Sequence, residues 1–178
     1  KTFFDDDLVA HVSMAHPIST DLMNICESAL KKTDISYQVG GIYVAMEGPQ
    51  FSTLAESNLY RSWNADVIGM TNMPEAKLSR EAEIRYASIA MVTDFDCWHP
   101  DHESVDVSMI IETLRKNADN AKIMIQHAIN DFSDSVMTND SIQYALDTAL
   151  ITDLKNIKPS TKEKLSMILG RLLSSNED

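Results

Sequence analysis

Cysteine is scarce: Cys26 and Cys97 are the only two thiols in 178 residues. A chain of this length buries a core without covalent staples, so free reduced cysteines are expected and a disulfide-built fold is excluded. Positive charge is also short. Lys and Arg number 15 against 27 Asp and Glu, a formal net charge of −12, whereas a surface for duplex nucleic acid carries the sign that neutralises phosphates. No window approaches the roughly 20 apolar residues of a membrane span. The opening Lys1-Thr2-Phe3-Phe4-Asp5-Asp6-Asp7 lacks the basic, apolar and small-residue succession of a signal peptide. A cytoplasmic protein with no nucleic-acid or membrane partner is expected. A G-x-S-x-G elbow, a Walker lysine loop and a dinucleotide Gly-rich fingerprint are all missing. What is present is ordinary: 44% apolar and 24% charged residues, in a length that suits one domain of roughly 150 residues. Lys1 rather than Met in the first position leaves completeness open.

Periodicity orders the chain. Asp7 to Met14 reads as a short strand closed by Pro17, and Ser19-Thr20-Asp21 offers the cap of a helix carrying Leu22, Ile25, Cys26 and Leu30. Ile35 to Val39 and Ile42 to Met46 read as two strands around the hairpin-like turn Gly40-Gly41. Ser52 or Thr53 caps a helix that ends near Trp63-Asn64. Asp66 to Met70 is a buried-strand candidate, Pro74 and Glu75 suit the first turn of the next helix, and Tyr86 to Thr93 is the longest apolar strand. Strand, helix, strand, helix, strand is an α/β signature. From Asp106, apolar residues step by three and four through Ala128 as one long helix. A second helix after Asn139-Asp140 puts Ile142, Ala145, Leu146, Ala149 and Leu150 inward, and a third starts from the capping-box spacing of Ser160 and Glu163. No repeat, low-complexity tract or linker stands out, so residues 1–178 read as one α/β domain portion with a helical tail over 130–178.

Open α/β sheets bind ligands beyond the carboxyl ends of their strands, so three junctions matter. Glu47-Gly48-Pro49-Gln50-Phe51-Ser52 brings an acid, an aromatic face and a hydroxyl together, although a plain turn with an N-cap explains the same residues. Met70-Thr71 sets a thioether and a hydroxyl before a helix start where anions bind; a core methionine with a cap is the alternative. Asp94-Phe95-Asp96 follows the longest strand, and an extended backbone there puts both carboxylates on one face. Two close carboxylates resist ionising together, which keeps a proton available for a leaving group. A solvated acidic loop is the competing explanation. Asp94, Asp96, His99, Asp101, His102 and Glu103 are also metal-type donors, but Pro100 between the two histidines disfavours the helical presentation of a paired site.

With these residues in view, a resemblance stands out. AHVSMAHP at 10–17, MEGPQFST at 46–53, AES at 55–57, ADVIGMTNMPE at 65–75 and AKLSREAEIRYASIAMVTDFDCW at 76–98 closely resemble the methylthioadenosine-cleaving branch of the trimeric purine nucleoside phosphorylase family, over about Phe3 to Ile129. The resemblance implies a mixed central β-sheet flanked by helices and reversible phosphorolysis of S-methyl-5′-thioadenosine to adenine and 5-methylthioribose 1-phosphate. Phosphate is then a co-substrate, no cofactor or metal is needed, and the assembly is a homotrimer. Carried over, Asp94 donates to purine N7, Asp96 holds the 6-amino group and Ser52 supports that network. Phe51 lies against the base, Met70 along the ribose, and Thr71 touches phosphate. His11 is lent to the 5′ end of a neighbouring subunit's ligand, and Val107, Ile110 and Ile111 line an apolar methylthio slot. Related 6-oxopurine enzymes carry Glu at the Ser52 position and Asn at the Asp94 position, whereas a carboxylate facing a 6-amino donor suits adenine.

The family pattern also includes a preceding stretch with a Gly-rich phosphate loop, an Arg-His phosphate contact and the first strands of the sheet, none of which lies in this sequence. The expectation is that this polypeptide alone neither closes the sheet nor turns over, and that the N-terminal half accompanies it as a separate chain or in a precursor. The alternatives are a purine nucleoside-binding or regulatory module without phosphorolysis, and a related phosphorylase acting on other 5′-substituted adenosines.

Overall fold

The computed structural model describes residues 1–5, 7–100, 107–132 and 141–174. Among them the helices are α1 (Thr20–Leu30), α2 (Leu54–Ser62), α3 (Asn72–Glu81), α4 (Val107–Asp131), α5 (Pro159–Lys164) and α6 (Ser166–Ser174), with 3-10 turns at Ser141–Tyr144 and Leu154–Asn156. The strands are β1 (Tyr43–Ala45) and β2 (Val67–Gly69). The chain forms two compact units, one of Lys1–Leu22, Met73–Ala87 and Met137–Asp178, the other of Met23–Asn72 and Ser88–Val136.

The second unit is organised by a β1–α2–β2 crossover. Its strands are parallel, with Tyr43 opposite Val67, Val44 opposite Ile68 and Ala45 opposite Gly69. Gly69 leaves room for the Tyr43 side chain, because a Cβ there would collide with the Tyr43 hydroxyl. Thr53 starts α2 through a complete capping box: its hydroxyl accepts from Glu56 N–H at 3.2 Å while its own N–H donates to the Glu56 carboxylate at 2.8 Å. The Thr53 N–H, then its hydroxyl, hold the Glu56 carboxyl below the usual carboxylate range. The helix stops at Trp63, and Asn64 turns the chain toward β2 with φ 57°. Long α4 follows the apolar spacing, buries Met124 and pairs Asp131 with Lys32; Asp106, the expected entry residue, lies outside the described residues.

Three expected strands of this α/β reading do not form, at residues 7–14, 35–39 and 86–93. Residues 35–39 adopt no strand, so Gly40 and Gly41 make no hairpin and the neighbour of β1 is β2. The run 86–93 adopts no ladder either: Ile89, Met91 and Val92 are exposed, and the Val92 carbonyl accepts from Asn117 Nδ2 at 2.9 Å. An apolar run becomes a strand only where another backbone takes its N–H and C=O groups. Among the described residues the sheet accordingly has two strands rather than the larger mixed sheet expected.

The first unit closes around Phe4, Leu8, Leu146, Ala149, Ile157, Leu165 and Leu169. The stretch read as a helical tail thus supplies most of that core. Residues 7–14 form no strand but a single antiparallel bridge, Ala10 to Leu150, flanked by His11 N–H to Ala149 O at 2.8 Å and Ile151 N–H to Val9 O at 2.9 Å. After position 140 the expected α-helix is replaced by tighter turns, Ala145 N–H to Ile142 O and Ala149 N–H to Leu146 O, which still bury Ile142, Leu146 and Ala149. Ser160 caps nothing, because Pro159 already occupies the first turn of α5. Asp7 does that work from far along the chain, accepting the Lys158 N–H at 2.8 Å and the Thr161 hydroxyl at 2.6 Å. Buried Arg80 donates to the carbonyls of Ser13 and His16, and buried Glu81 accepts from the Thr2 hydroxyl and Phe3 N–H, which ties the N-terminal segment to α3.

Candidate active site

Parallel strands release their following loops at one edge, and in the second unit the loop 46–53 after β1 and Met70-Thr71 after β2 share that edge. Met46 N–H still pairs with Gly69 O at 2.9 Å, after which the backbone turns at Gly48 with φ 68°. Gly48 lies against Met70: a Cβ at that position would sit 2.7 Å from Met70 Sδ. Across the same loop the Ser52 hydroxyl donates to Met46 Sδ at 3.8 Å. Phe51, beside it, leaves 84% of its surface exposed, an aromatic face with no packing duty. Thr71 is exposed immediately before α3.

The acidic segment reaches this group through Cys97, whose thiol donates to the Ser52 carbonyl at 3.5 Å. Asp94 is exposed and accepts from the Thr93 hydroxyl at 2.5 Å; Asp96 is half-buried and accepts from the Cys97 N–H at 2.9 Å. The extended alternation expected here is not kept, since a bend at Asp94 and a turn closed by His99 N–H on Asp96 O at 3.0 Å replace it. With no strand at 86–93, nothing imposes a period of two on the residues that follow. Beyond the two aspartates, Phe95 stacks on His99 at 4.2 Å, Trp98 stands edge-on to Phe95 at 5.9 Å and to His99 at 5.2 Å, and the Arg61 guanidinium lies 3.9 Å over the Trp98 ring. Sequence spacing gives no indication of the Arg61 contact beyond an arginine in the last turn of α2.

His11 belongs to the other unit, where it is exposed. Val107, Ile110 and Ile111 fall in the first turns of α4; Ile111 is exposed, and the side chains of Val107 and Ile110 lie outside the described residues, as do Asp101, His102 and Glu103. Among the described residues no three His, Cys, Asp or Glu side chains gather as a metal site. No helix among them is long and apolar enough to cross a membrane.

The loop after β1 presents an aromatic face and a hydroxyl next to the Met70 thioether, and the Cys97–Ser52 bond ties the acidic segment to that loop, residue types that suit a flat heterocycle with a polar edge. The comparison with known families agrees: residues 1–130 match the family model described as the phosphorylase superfamily, and the chain belongs to that family. Within it, the chain is 52% identical over 174 residues to the S-methyl-5′-thioadenosine phosphorylase of Rhodospirillum rubrum, covering 97% of this chain and 59% of that protein. It is 49% identical to the enzyme of the same name from Koribacter versatilis, covering 96% and 58%. Among solved structures it is similar to a methylthioadenosine phosphorylase from an antarctic soil metagenomic library, with a TM-score of 0.87, 47% identity and coverage of 94% of this chain and 59% of that one. A methylthioadenosine phosphorylase of Schistosoma mansoni solved with adenine is similar at a TM-score of 0.66 and 27% identity, covering 95% and 59%. The chain therefore spans about three-fifths of the length of the relatives it matches.

Proposed function

We propose that this chain carries the nucleoside-binding portion of an S-methyl-5′-thioadenosine phosphorylase. The observation that supports the reading is the hydrogen bond from the Cys97 thiol to the Ser52 carbonyl, which ties the segment carrying Asp94 and Asp96 to the loop carrying Phe51 and Ser52. In the reaction a phosphate oxygen attacks C1′ as the C1′–N9 bond breaks, and the bonding pair leaves with the purine. Asp94 gives its proton to N7, so that neutral adenine departs, and the anionic phosphate stabilises the oxocarbenium-like sugar before becoming its 1-phosphate. Asp96 accepts from the 6-amino group, Ser52 steadies that carboxylate, and Phe51 covers the base. Met70 lies along the ribose, and Thr71 contacts phosphate. Val107, Ile110 and Ile111 form the apolar slot for methylthio, a group that asks for no hydrogen-bond partner.

His11 serves the 5′ end of a neighbouring subunit's nucleoside in a homotrimer. No cofactor is required, and the enzyme works in the cytoplasm. Further phosphate contacts come from a preceding part of the fold, in the same or a second polypeptide, which also covers the run at Ile89–Val92. The greater length of the relatives and the exposure of Ile89, Met91 and Val92 support this.

Phosphate-dependent release of adenine from S-methyl-5′-thioadenosine by the full-length protein is the test. Asp94→Asn lowers kcat by about 10²–10⁴-fold, the usual worth of a positioned acid, with the circular dichroism spectrum unchanged. Nucleoside binding without adenine release refutes phosphorolysis and leaves a binding module.

A further inference from the structure

The aromatic pile beyond the two aspartates has no part in the chemistry just described, yet it is attached to both flanks of α2. Cys97 and Trp98 are consecutive. The first bonds the Ser52 carbonyl just before α2 begins, and the second lies under the guanidinium of Arg61 in the last turn. A helical side chain leans toward the N-terminus, so the long side chain of Arg61 in the last turn is directed back along α2 toward the end where Cys97 is bound.

We propose that Arg61 and Trp98 are positioning residues for Asp94 and Asp96, a role that rests on the phosphorylase reading above. The chain of contact is short. Arg61 sits on Trp98, Trp98 stands edge-on to Phe95 and His99, those two rings stack face to face, and Phe95 is the residue between the two carboxylates. Phe95 itself is 60% exposed, so the pile rather than the core orients it. Asp94 holds a hydroxyl from its own neighbour Thr93 and Asp96 an N–H from its own neighbour Cys97, bonds that travel with the segment and do not fix it to the rest of the unit. Upstream, the Val92 carbonyl is held by Asn117; the Cys97–Ser52 and Arg61–Trp98 contacts tie the segment to the two ends of α2, and a weak thiol donor by itself permits rotation about the first. Arginine over tryptophan is a directional contact, since the planar cation follows the ring face and loses its hold when the ring turns.

Two readouts test this in the full-length protein. The first needs no nucleoside: in a background where Cys26 and any cysteine outside these 178 residues are replaced by serine, the rate at which Cys97 reacts with a disulfide reagent such as DTNB reports release of the segment. Arg61→Gln and Trp98→Leu raise that rate by about two- to fivefold, the equilibrium worth of an exposed cation–π contact, and Trp98→Phe, which keeps a ring face, restores most of the protection. The second is steady-state phosphorolysis. Arg61→Gln lowers kcat by a similar factor while KM for S-methyl-5′-thioadenosine stays within about twofold, because the loss falls on proton transfer rather than on base stacking. Unchanged Cys97 reactivity in both Arg61→Gln and Trp98→Leu overturns the proposal. So does an unchanged kcat in a protein whose Cys97 has become reactive, which reduces the contact to scaffolding. A parent protein that releases no adenine refutes the phosphorylase reading, and the thiol rate still decides whether the clamp exists.

Discussion

Replacing Gly48 with alanine tests the junction where fold and site meet. Two separate effects are expected. Gly48 has φ 68°, and a residue with a Cβ in that left-handed region loses about 1–2 kcal/mol, of which roughly 0.4–1 kcal/mol returns because alanine stiffens the unfolded chain; about 1 kcal/mol of net destabilisation remains. The second effect is steric. The new Cβ would lie 2.7 Å from Met70 Sδ, whereas comfortable contact needs about 3.5–4.0 Å, so the thioether must recede by about 1 Å. Methionine has three rotatable bonds and yields readily, so under the proposed function this displacement is expected in nucleoside binding rather than in stability. Urea unfolding measures the first effect and KM for S-methyl-5′-thioadenosine the second, each determined for Gly48→Ala in the parent and in a Met70→Ala background. The stability loss of about 1 kcal/mol persists in both backgrounds, while the rise in KM caused by Gly48→Ala is confined to the parent. An unchanged urea midpoint refutes the backbone argument, and equal proportional rises in KM in both backgrounds refute the route through Met70.

Three further outcomes concern base choice, acid stability and ligand-independent structure. Ser52→Glu combined with Asp94→Asn exchanges the pair proposed at the purine edge for the Glu and Asn pair of the 6-oxopurine pattern; measurable hypoxanthine release from inosine-type nucleosides is expected, and none at all removes these two positions from base recognition. Asp7, whose carboxyl is held below the usual carboxylate range by the Thr161 hydroxyl and then the Lys158 N–H, stabilises α5 only while ionised. A depressed folded value means that this contribution is fully present above an unfolded value of about 3.9 and disappears as pH falls through the lower folded value. The melting temperature of Asp7→Asn is therefore below that of the parent near neutrality and converges on it in acid; a gap that stays constant across that range contradicts the capping role. The Thr53–Glu56 box behaves with the same sign, because its N–H and hydroxyl donors also favour the ionised carboxylate, and Glu56→Gln should flatten the corresponding acid loss of α2 in residue-resolved hydrogen exchange.

What sequence reasoning reaches in this chain is bounded by the distance over which the deciding contact acts. The helix after Thr53 is legible because its whole start signal lies within Thr53 to Glu56, and α4 because its spacing repeats inside its own length. The cap of α5 is not: the carboxylate that serves Lys158 sits 151 residues earlier, so Ser160, with the right local spacing, looks like the better candidate until Asp7 is in place. Strands suffer most, because their stabilising bonds belong to a partner. Tyr43–Ala45 and the run 86–93 carry similar apolar and β-branched residues, yet the first finds Val67–Gly69 alongside and the second finds no ladder. The site divides in the same way. The residue types around Gly48, Phe51–Ser52, Met70–Thr71 and Asp94–Asp96 can be picked out from junction position and family resemblance. That Cys97 meets Ser52 and that Arg61 lies over Trp98 are side-chain facts across 45 and 37 positions of chain, for which local spacing holds no signal. An apolar run announces that it must be covered and a polar turn that it must be satisfied; neither names the residue that does it, because that residue arrives from another part of the chain.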